Sequence, residues 1–303
     1  MQELEGRTAF VTGGASGIGL GMAKVFLRAN MRVAIADIRE DHVAQASDEL
    51  AAEFDAGAWH AMRLDVTDRT AFASAAEEVI ERFGNVHVLC NNAGIGILKP
   101  IGEAGYADWD WTVDVNLNGV FNGVKSFLPH MLAHGEGGHI VNTASMAGVL
   151  QYSRAGMYVA TKFAVVGLSE ALRAELADKG IGVSAFCPGG VRSNIREYEK
   201  TRPERFAVSE AGDAPPSPRL SLGEEERARL GRLTASPEEA GEMVLQGIRD
   251  NALYIFTAPE FRPGIEQRFD AMLRALGEDK EREATALELI PGLVGSPIYN
   301  DAP

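Results

Sequence analysis

Cysteine is nearly absent from this 303-residue chain: there are two, Cys90 in VHVLCNN and Cys187 in VSAFCPG. Both sit inside apolar runs, so they read as small core residues in a reducing compartment. A disulfide framework, a zinc site and a redox pair are excluded as expectations. The six histidines are few and scattered, and no structural metal is expected. Long apolar runs are missing too; none approaches the ~18 residues that span a bilayer. The opening MQELEGR lacks the basic-then-apolar order of a signal peptide, and a cytoplasmic protein without a membrane partner is expected. Positive charge is scarce: 29 Lys and Arg against 43 Asp and Glu leave a net charge of −14. That balance opposes binding to a phosphate backbone, so nucleic acid is not an expected partner.

A hydrophobic content of 46% is ample for a buried core. Seven short β-branched runs occur at 8–13, 32–38, 61–66, 86–94, 139–145, 183–189 and 252–259. Several are apolar on consecutive residues, as strands covered on both faces of a parallel sheet must be. Between them lie amphipathic segments at 17–29, 41–54, 68–83, 106–134, 155–179 and 236–250. Strand and helix in alternation give right-handed crossovers with helices on both faces, a doubly wound α/β architecture. Two stretches stand apart. Residues 195–235 carry PPSP and charges of both signs between the sixth strand and the next helix, an insertion long enough for a substrate lid. After a further helix at 260–276, residues 278–303 form a C-terminal tail beyond the main domain of 1–277.

The stretch TGGASGIG, Thr12 to Gly19, holds four glycines between the first strand and the first helix. Glycine weakens a helix interior by about 0.5–1 kcal/mol relative to alanine, so this density needs a compensating use. Backbone N–H groups and the helix dipole at a helix start favour an anion, and a pyrophosphate fits where no Cβ blocks it. The second strand ends in Asp37, 18 residues beyond Gly19. A carboxylate there can accept the adenosine ribose hydroxyls and would repel a 2′-phosphate, which favours NAD over NADP. Arg39, two residues later, complicates that preference without reversing it.

Downstream come Asp65-Val66, Asn91-Asn92-Ala93-Gly94, Asn116, Ser145, Tyr158-Val-Ala-Thr-Lys162 and Pro188-Gly189-Gly190. With the glycine turn, these resemble the short-chain dehydrogenase/reductase family over about residues 5–260. The resemblance implies a single Rossmann-type domain with a mainly parallel seven-stranded sheet, assembled as a homodimer or homotetramer. It implies cofactor contacts from Gly13, Ser16, Gly17, Ile18, Gly19, Asp37, Asp65, Val66, Asn92, Ala93, Gly94, Tyr158, Lys162, Pro188, Gly189, Val191 and Ser193. Ser193 stands where the family's PGxVxT pattern has threonine, and keeps the hydroxyl. Ser16 stands where NADP-preferring relatives often carry a basic residue, and Ile38 follows Asp37; both again favour NAD.

Tyr158 and Lys162 are four apart on one helical face, so they can approach the same ligand. A phenol titrating near 10 is a poor base at neutral pH, and an adjacent ammonium stabilises the phenolate. Tyr158 then exchanges a proton with a hydroxyl while a hydride passes to or from nicotinamide. Ser145 ends the fifth strand, where open parallel sheets place their sites, and can bond the substrate oxygen. The resemblance gives Lys162 a second bond, to the nicotinamide ribose, and Asn116 a place in a proton relay through water. The catalytic set is therefore Asn116, Ser145, Tyr158 and Lys162.

The phrases VNLNGVFNGV, RSNIRE, RPERF and DNALYIFTAPEFRPGIEQRF make the chain similar to a bacterial branch of like length containing lignin-derived β-aryl ether Cα-dehydrogenases. This implies a bulky benzylic secondary alcohol and its ketone as the small-molecule partner. Hydroxysteroids and other hydrophobic secondary alcohols are the alternative. Met146, Val149, Leu150 and Tyr152 are the expected apolar pocket lining. A nucleotide-sensing regulator without turnover would tolerate loss of Ser145, Tyr158 or Lys162, and all three are present.

Overall fold

The computed structural model describes residues 1–207 and 223–299. The chain alternates β1 (Thr8–Thr12), α1 (Gly17–Arg28), β2 (Arg32–Asp37), α2 (Glu40–Glu53), β3 (Trp59–Arg63), α3 (Arg69–Phe83) and β4 (Val88–Asn91). It continues through α4 (Tyr106–Val113), α5 (Gly119–His134), β5 (Gly138–Thr143), α6 (Gly156–Glu175) and β6 (Ile181–Cys187). Then follow α7 (Glu224–Gly231), α8 (Pro237–Arg249), β7 (Tyr254–Phe256), α9 (Arg262–Leu276), α10 (Lys280–Leu289) and α11 (Pro291–Val294).

The strands form one seven-stranded sheet in the order β3-β2-β1-β4-β5-β6-β7, every pair parallel. This is the expected doubly wound, Rossmann-type α/β domain. Side chains alternate across the sheet, and both faces are apolar. Val11, Val33, Ile35 and Phe186 pack with Met22, Phe26, Leu50, Val244 and Ile248 from α1, α2 and α8. Their neighbours Phe10, Ala34, Leu89, Ile140 and Val183 pack with Phe72, Val79, Phe127, Met131 and Leu172 from α3, α5 and α6. Cys90 on β4 and Cys187 on β6 are separated by β5, and both are buried and free.

Helix starts follow local chemistry. Asp68 Oδ1 accepts the N–H groups of Thr70 and Ala71 at 2.9 and 3.0 Å, opening α3. Ser236 and Glu239 form a reciprocal capping box ahead of Pro237, opening α8.

Three elements differ from the sequence expectation. β3 runs over Trp59–Arg63, not 61–66: its partner β2 ends at Asp37, whose carbonyl accepts Leu64 N–H at 2.9 Å, and the chain then leaves the sheet carrying Asp65 and Val66. β4 stops at Asn91 because the N–H groups of Asn92 and Ala93 turn onto Thr12 Oγ1 at 3.0 and 3.1 Å. The segment 106–134 is interrupted by a π-helical turn over Asp114–Asn118 between α4 and α5. That wider turn carries Asn116. Among the described residues, no helix is long and apolar enough to cross a membrane.

Candidate active site

The carboxyl ends of the strands open into a cleft, the position that the reversal of strand order at β1 and β4 creates in open α/β sheets. Gly13, Ser16, Gly17 and Ile18 line it. Gly13 has φ +60° and Gly17 +49°, left-handed conformations that a side chain adopts at a cost. A Cβ on Gly13 would lie 3.0 Å from Ala93 Cα, and one on Gly17 would lie 2.9 Å from Ser193 Cβ. Helix α1 has no acidic residue in its first turn and no side-chain cap, so its leading N–H groups are free for an anion. Gly19 lies just behind that lining, where a Cβ would stand 2.1 Å from the Gly13 carbonyl oxygen. Its role is to let the helix pack under the turn.

Asp37 lines the far end and is 9% exposed. Burial pushes its pKa up, against the pull of the Arg39 and Ala15 N–H groups at 3.1 and 3.4 Å. Asp65, Val66, Asn92, Ala93, Gly94, Pro188 and Ser193 line the same cleft. Gly189 and Val191 lie outside the lining: Gly189 N–H donates to Thr257 Oγ1 at 3.0 Å, and Val191 bridges to Ala235. They hold the turn from behind. The cradle, the free helix start and the carboxylate at its end together fit a dinucleotide.

Tyr158 and Lys162 line the same cleft, as their spacing on α6 predicts. The Ser145 hydroxyl faces the Tyr158 phenol and favours its ionised form, and its oxygen accepts Ala147 N–H at 3.1 Å. Ser145 therefore touches the site through Tyr158 without lining the cleft itself. Lys162 is buried, and its ammonium donates to the Thr143 carbonyl at 2.8 Å. Burial lowers its pKa to about 8. The nitrogen lies 5.7 Å from the Tyr158 ring centroid. Burial raises the Tyr158 pKa, with Ser145 pulling the other way. Asn116 is fully buried. Its amide accepts Ile95 N–H at 2.8 Å and donates to Ile95 O and Thr161 Oγ1 at 3.0 and 3.3 Å. It meets Lys162 across Gly94, where an added Cβ would be 3.2 Å from Asn116 Oδ1 and 3.5 Å from Lys162 Nζ. Thr12, which opens the glycine motif, orders Asn92, and Thr143, which no motif marks in the sequence, orders Asn92 and Lys162.

Met146, Val149, Leu150 and Tyr152 do not line this cleft; its apolar walls are Ile95, Trp111, Val115, Ile195 and Tyr198. Part of these walls comes from the segment 195–207, which packs over α4. Asp108, 1% exposed, accepts Lys99 Nζ and Arg202 Nη2, each at 2.8 Å. The Arg202 guanidinium also stacks on Trp111, 4.4 Å from a ring centroid. Phe206 is buried with Ile95, Ile97 and Met157. Residues 195–207 of the expected lid are thus an anchored wall, α7 follows at Glu224–Gly231, and 208–222 lies outside the described residues.

At the opposite end of the sheet, His87, His134 and Glu136 come together, although the sequence scatters them. His87 Nδ1 accepts Thr8 N–H at 3.2 Å and its Nε2 faces Glu136 Oε2 at 3.0 Å. His134 Nδ1 accepts Glu136 N–H at 3.0 Å and its Nε2 faces the Val86 carbonyl at 3.1 Å. Every ring nitrogen already has a partner, which argues for a structural network over a metal site.

The short chain dehydrogenase family pattern matches residues 7–204. A Cα-dehydrogenase of Sphingobium sp. (strain NBRC 103272 / SYK-6) is 40% identical over 277 residues, covering 90% of this chain and 87% of its own. A 3β-hydroxysteroid dehydrogenase 2 of Eggerthella lenta is 38% identical over 193 residues, 63% of this chain and 74% of its own. A solved short-chain dehydrogenase/reductase from Burkholderia phymatum, in complex with NAD, superposes with a TM-score of 0.80 at 33% identity, covering 90% of this chain and 96% of that one. A phosphate-ready glycine turn and a Tyr-Lys pair in one cleft agree with these likenesses, and the chain belongs to the short-chain dehydrogenase/reductase family of oxidoreductases.

Proposed function

We propose that this oxidoreductase interconverts a bulky, aromatic, benzylic secondary alcohol and its ketone, with NAD as cofactor. The observation that carries the reading is that Tyr158 and Lys162 share one cleft with the Gly13–Ile18 cradle and Asp37. Gly13, Ser16, Gly17 and Ile18 would hold the pyrophosphate, and Asp37 the adenosine ribose. Asp65, Val66, Asn92, Ala93 and Gly94 would line the middle of the bound molecule. Lys162 and Tyr158 would hold the nicotinamide ribose and Ser193 the carboxamide. The chemistry that NAD supplies when bound is two-electron acceptance of the hydride from the carbinol carbon.

Tyr158 removes the hydroxyl proton of the alcohol, or returns it to the ketone. Ser145, which faces the phenol, donates to the substrate oxygen as charge develops there. Asn116 acts from behind, fixing the Ile95 backbone beside Lys162. The walls Ile95, Trp111, Val115, Ile195 and Tyr198 favour an aromatic substrate over a small polyol. The likeness to the Cα-dehydrogenase supports a benzylic alcohol, and the likeness to the hydroxysteroid dehydrogenase keeps a steroid alcohol as the second reading. Residues 1–277 would form the catalytic domain with 195–235 covering the substrate, and 278–303 a tail. Exposed Tyr106, Trp109, Phe121 and Leu132 on α4 and α5 support assembly of two or four copies.

The test is a panel of benzylic, steroid and aliphatic alcohols followed by NADH absorbance, with Tyr158→Phe alongside. Benzylic alcohols should turn over best, and the variant should lose about 10²–10⁴-fold in kcat with NAD binding retained. A variant keeping more than about a tenth of wild-type kcat would refute the role of Tyr158. A steroid preference would move the substrate reading alone.

A further inference from the structure

Arg39 is the one feature of the cofactor strand that the preference for NAD leaves unexplained, since a guanidinium two residues past Asp37 is suited to a 2′-phosphate. The structure occupies it from two sides. Its Nε and Nη2 meet both carboxylate oxygens of Asp41, the first at 3.0 Å, and its Nη1 donates to Glu197 Oε2 at 3.0 Å. Lys200 Nζ donates to the same Glu197 oxygen at 2.7 Å. Arg39, Asp37 and Glu197 all line the cleft. Glu197 belongs to the wall that covers the site, 158 residues away in the chain. The carboxylates Asp37, Asp41 and Glu197 outnumber the cations Arg39 and Lys200, so this end of the cleft carries a net negative charge.

We propose that Glu197, with Asp41, determines cofactor specificity by holding Arg39 in an ion-pair clasp across the adenosine end of the cleft, away from any 2′-phosphate. This deepens the NAD reading and rests on it. A cofactor with a 2′-phosphate would have to break the Arg39–Glu197 contact and face Asp37 uncompensated. One without it leaves the clasp closed, with the wall tied to the end of β2. Arg39 is thereby a positioning residue for the wall rather than a phosphate ligand.

The experiment measures binding of ADP-ribose and 2′-phospho-ADP-ribose by isothermal calorimetry, so the readout needs no turnover. The NAD/NADP ratio of kcat/KM is measured in parallel. Wild-type should prefer ADP-ribose. Glu197→Gln should narrow that preference by about five- to tenfold, since charge-assisted bonds to phosphate strengthen once Arg39 and Lys200 are released, with rim exposure limiting the gain. Glu197→Gln combined with Asp41→Asn should narrow it further, and the effect should fade at high salt. Glu197→Asp keeps the charge and should stay near the wild-type ratio. Tighter binding of the phosphorylated ligand is a gain that general destabilisation of the wall does not produce.

An unchanged ratio in both Glu197→Gln and the double variant, with Asp37→Ala still narrowing it, would overturn the clasp and leave the NAD reading standing. Wild-type binding both ligands equally would overturn the NAD reading and the clasp with it.

Discussion

The wall over the cleft depends on one buried carboxylate, and Asp108→Asn tests it. Asp108 is 1% exposed and accepts two cations, Lys99 Nζ and Arg202 Nη2, each at 2.8 Å. Burial alone would raise its pKa, but the bonds to Lys99 and Arg202 more than offset this and hold it below the ordinary value. Asparagine keeps the shape and removes the charge. Each charge-assisted bond is worth roughly 1.5–3 kcal/mol. The losses are partial: Arg202 retains Glu199, at 2.7 Å from both Nε and Nη2, and its stacking on Trp111, while Lys99 is 24% exposed and can rehydrate. A net cost of about 3 kcal/mol follows, which at roughly 2 °C per kcal/mol for a chain of this size lowers Tm by about 6 °C. A group with a depressed folded pKa contributes stability above its unfolded value near 3.9 and loses it as pH falls through the folded value, so the variant and wild-type should converge in acid. Ile195, Tyr198, Thr201 and Pro203 of the wall line the cleft, so substrate KM should rise as well. Calorimetric melting at neutral and acid pH, with KM at neutral pH, checks both. A Tm within about 1 °C of wild-type together with an unchanged KM would refute the anchoring role.

Other residues carry separate predictions. Gly19→Ala puts a Cβ 2.1 Å from the Gly13 carbonyl oxygen, so the turn must shift; overpacking of this kind costs roughly 1–3 kcal/mol, and calorimetry should find ADP-ribose binding weakened by tenfold or so. Lys162 is charged only below about 8, because burial lowers its pKa. Ketone reduction, which draws its proton from a phenol that burial keeps protonated, should therefore be level below that pH and fall above it. Lys162→Arg should lack the break, even where slower. His139 is buried with a pKa near 3, held down by burial, the N-terminus and Arg173. The unfolded chain takes up a proton below about 6.5 that the folded chain refuses, so stability falls by roughly 1.4 kcal/mol per pH unit from there to about pH 3. His139→Leu should flatten that slope in urea titrations at pH 5 and 7.

Much of the architecture was legible before any coordinates, and particular residues show why. Apolar runs such as AFV and VAIA mark strands covered on both faces, and a parallel sheet with crossover helices follows from them. The four-residue spacing of Tyr158 and Lys162 is a property of one helix, and the glycine turn of one strand-to-helix connection. At Gly19 close packing and close ligand approach both demand glycine, and the structure adds the packing reason: a Cβ there would stand 2.1 Å from the Gly13 carbonyl oxygen. Asn116 was placed on an ordinary helix because no residue signal announces the π turn that buries it.

The sequence by itself determined the order of strands and helices, the anion-ready turn, the carboxylate at Asp37 and the Tyr158–Lys162 pair, since each depends on residues within a few positions or one crossover unit of each other. Tertiary structure alone decided which charges are neutralised and what forms the walls. Arg202 reaches Asp108 across 94 residues and Arg39 reaches Glu197 across 158. His87 and Glu136 lie 49 residues apart. Such pairings depend on which surfaces burial presses together, and a linear pattern of charges does not encode that distance.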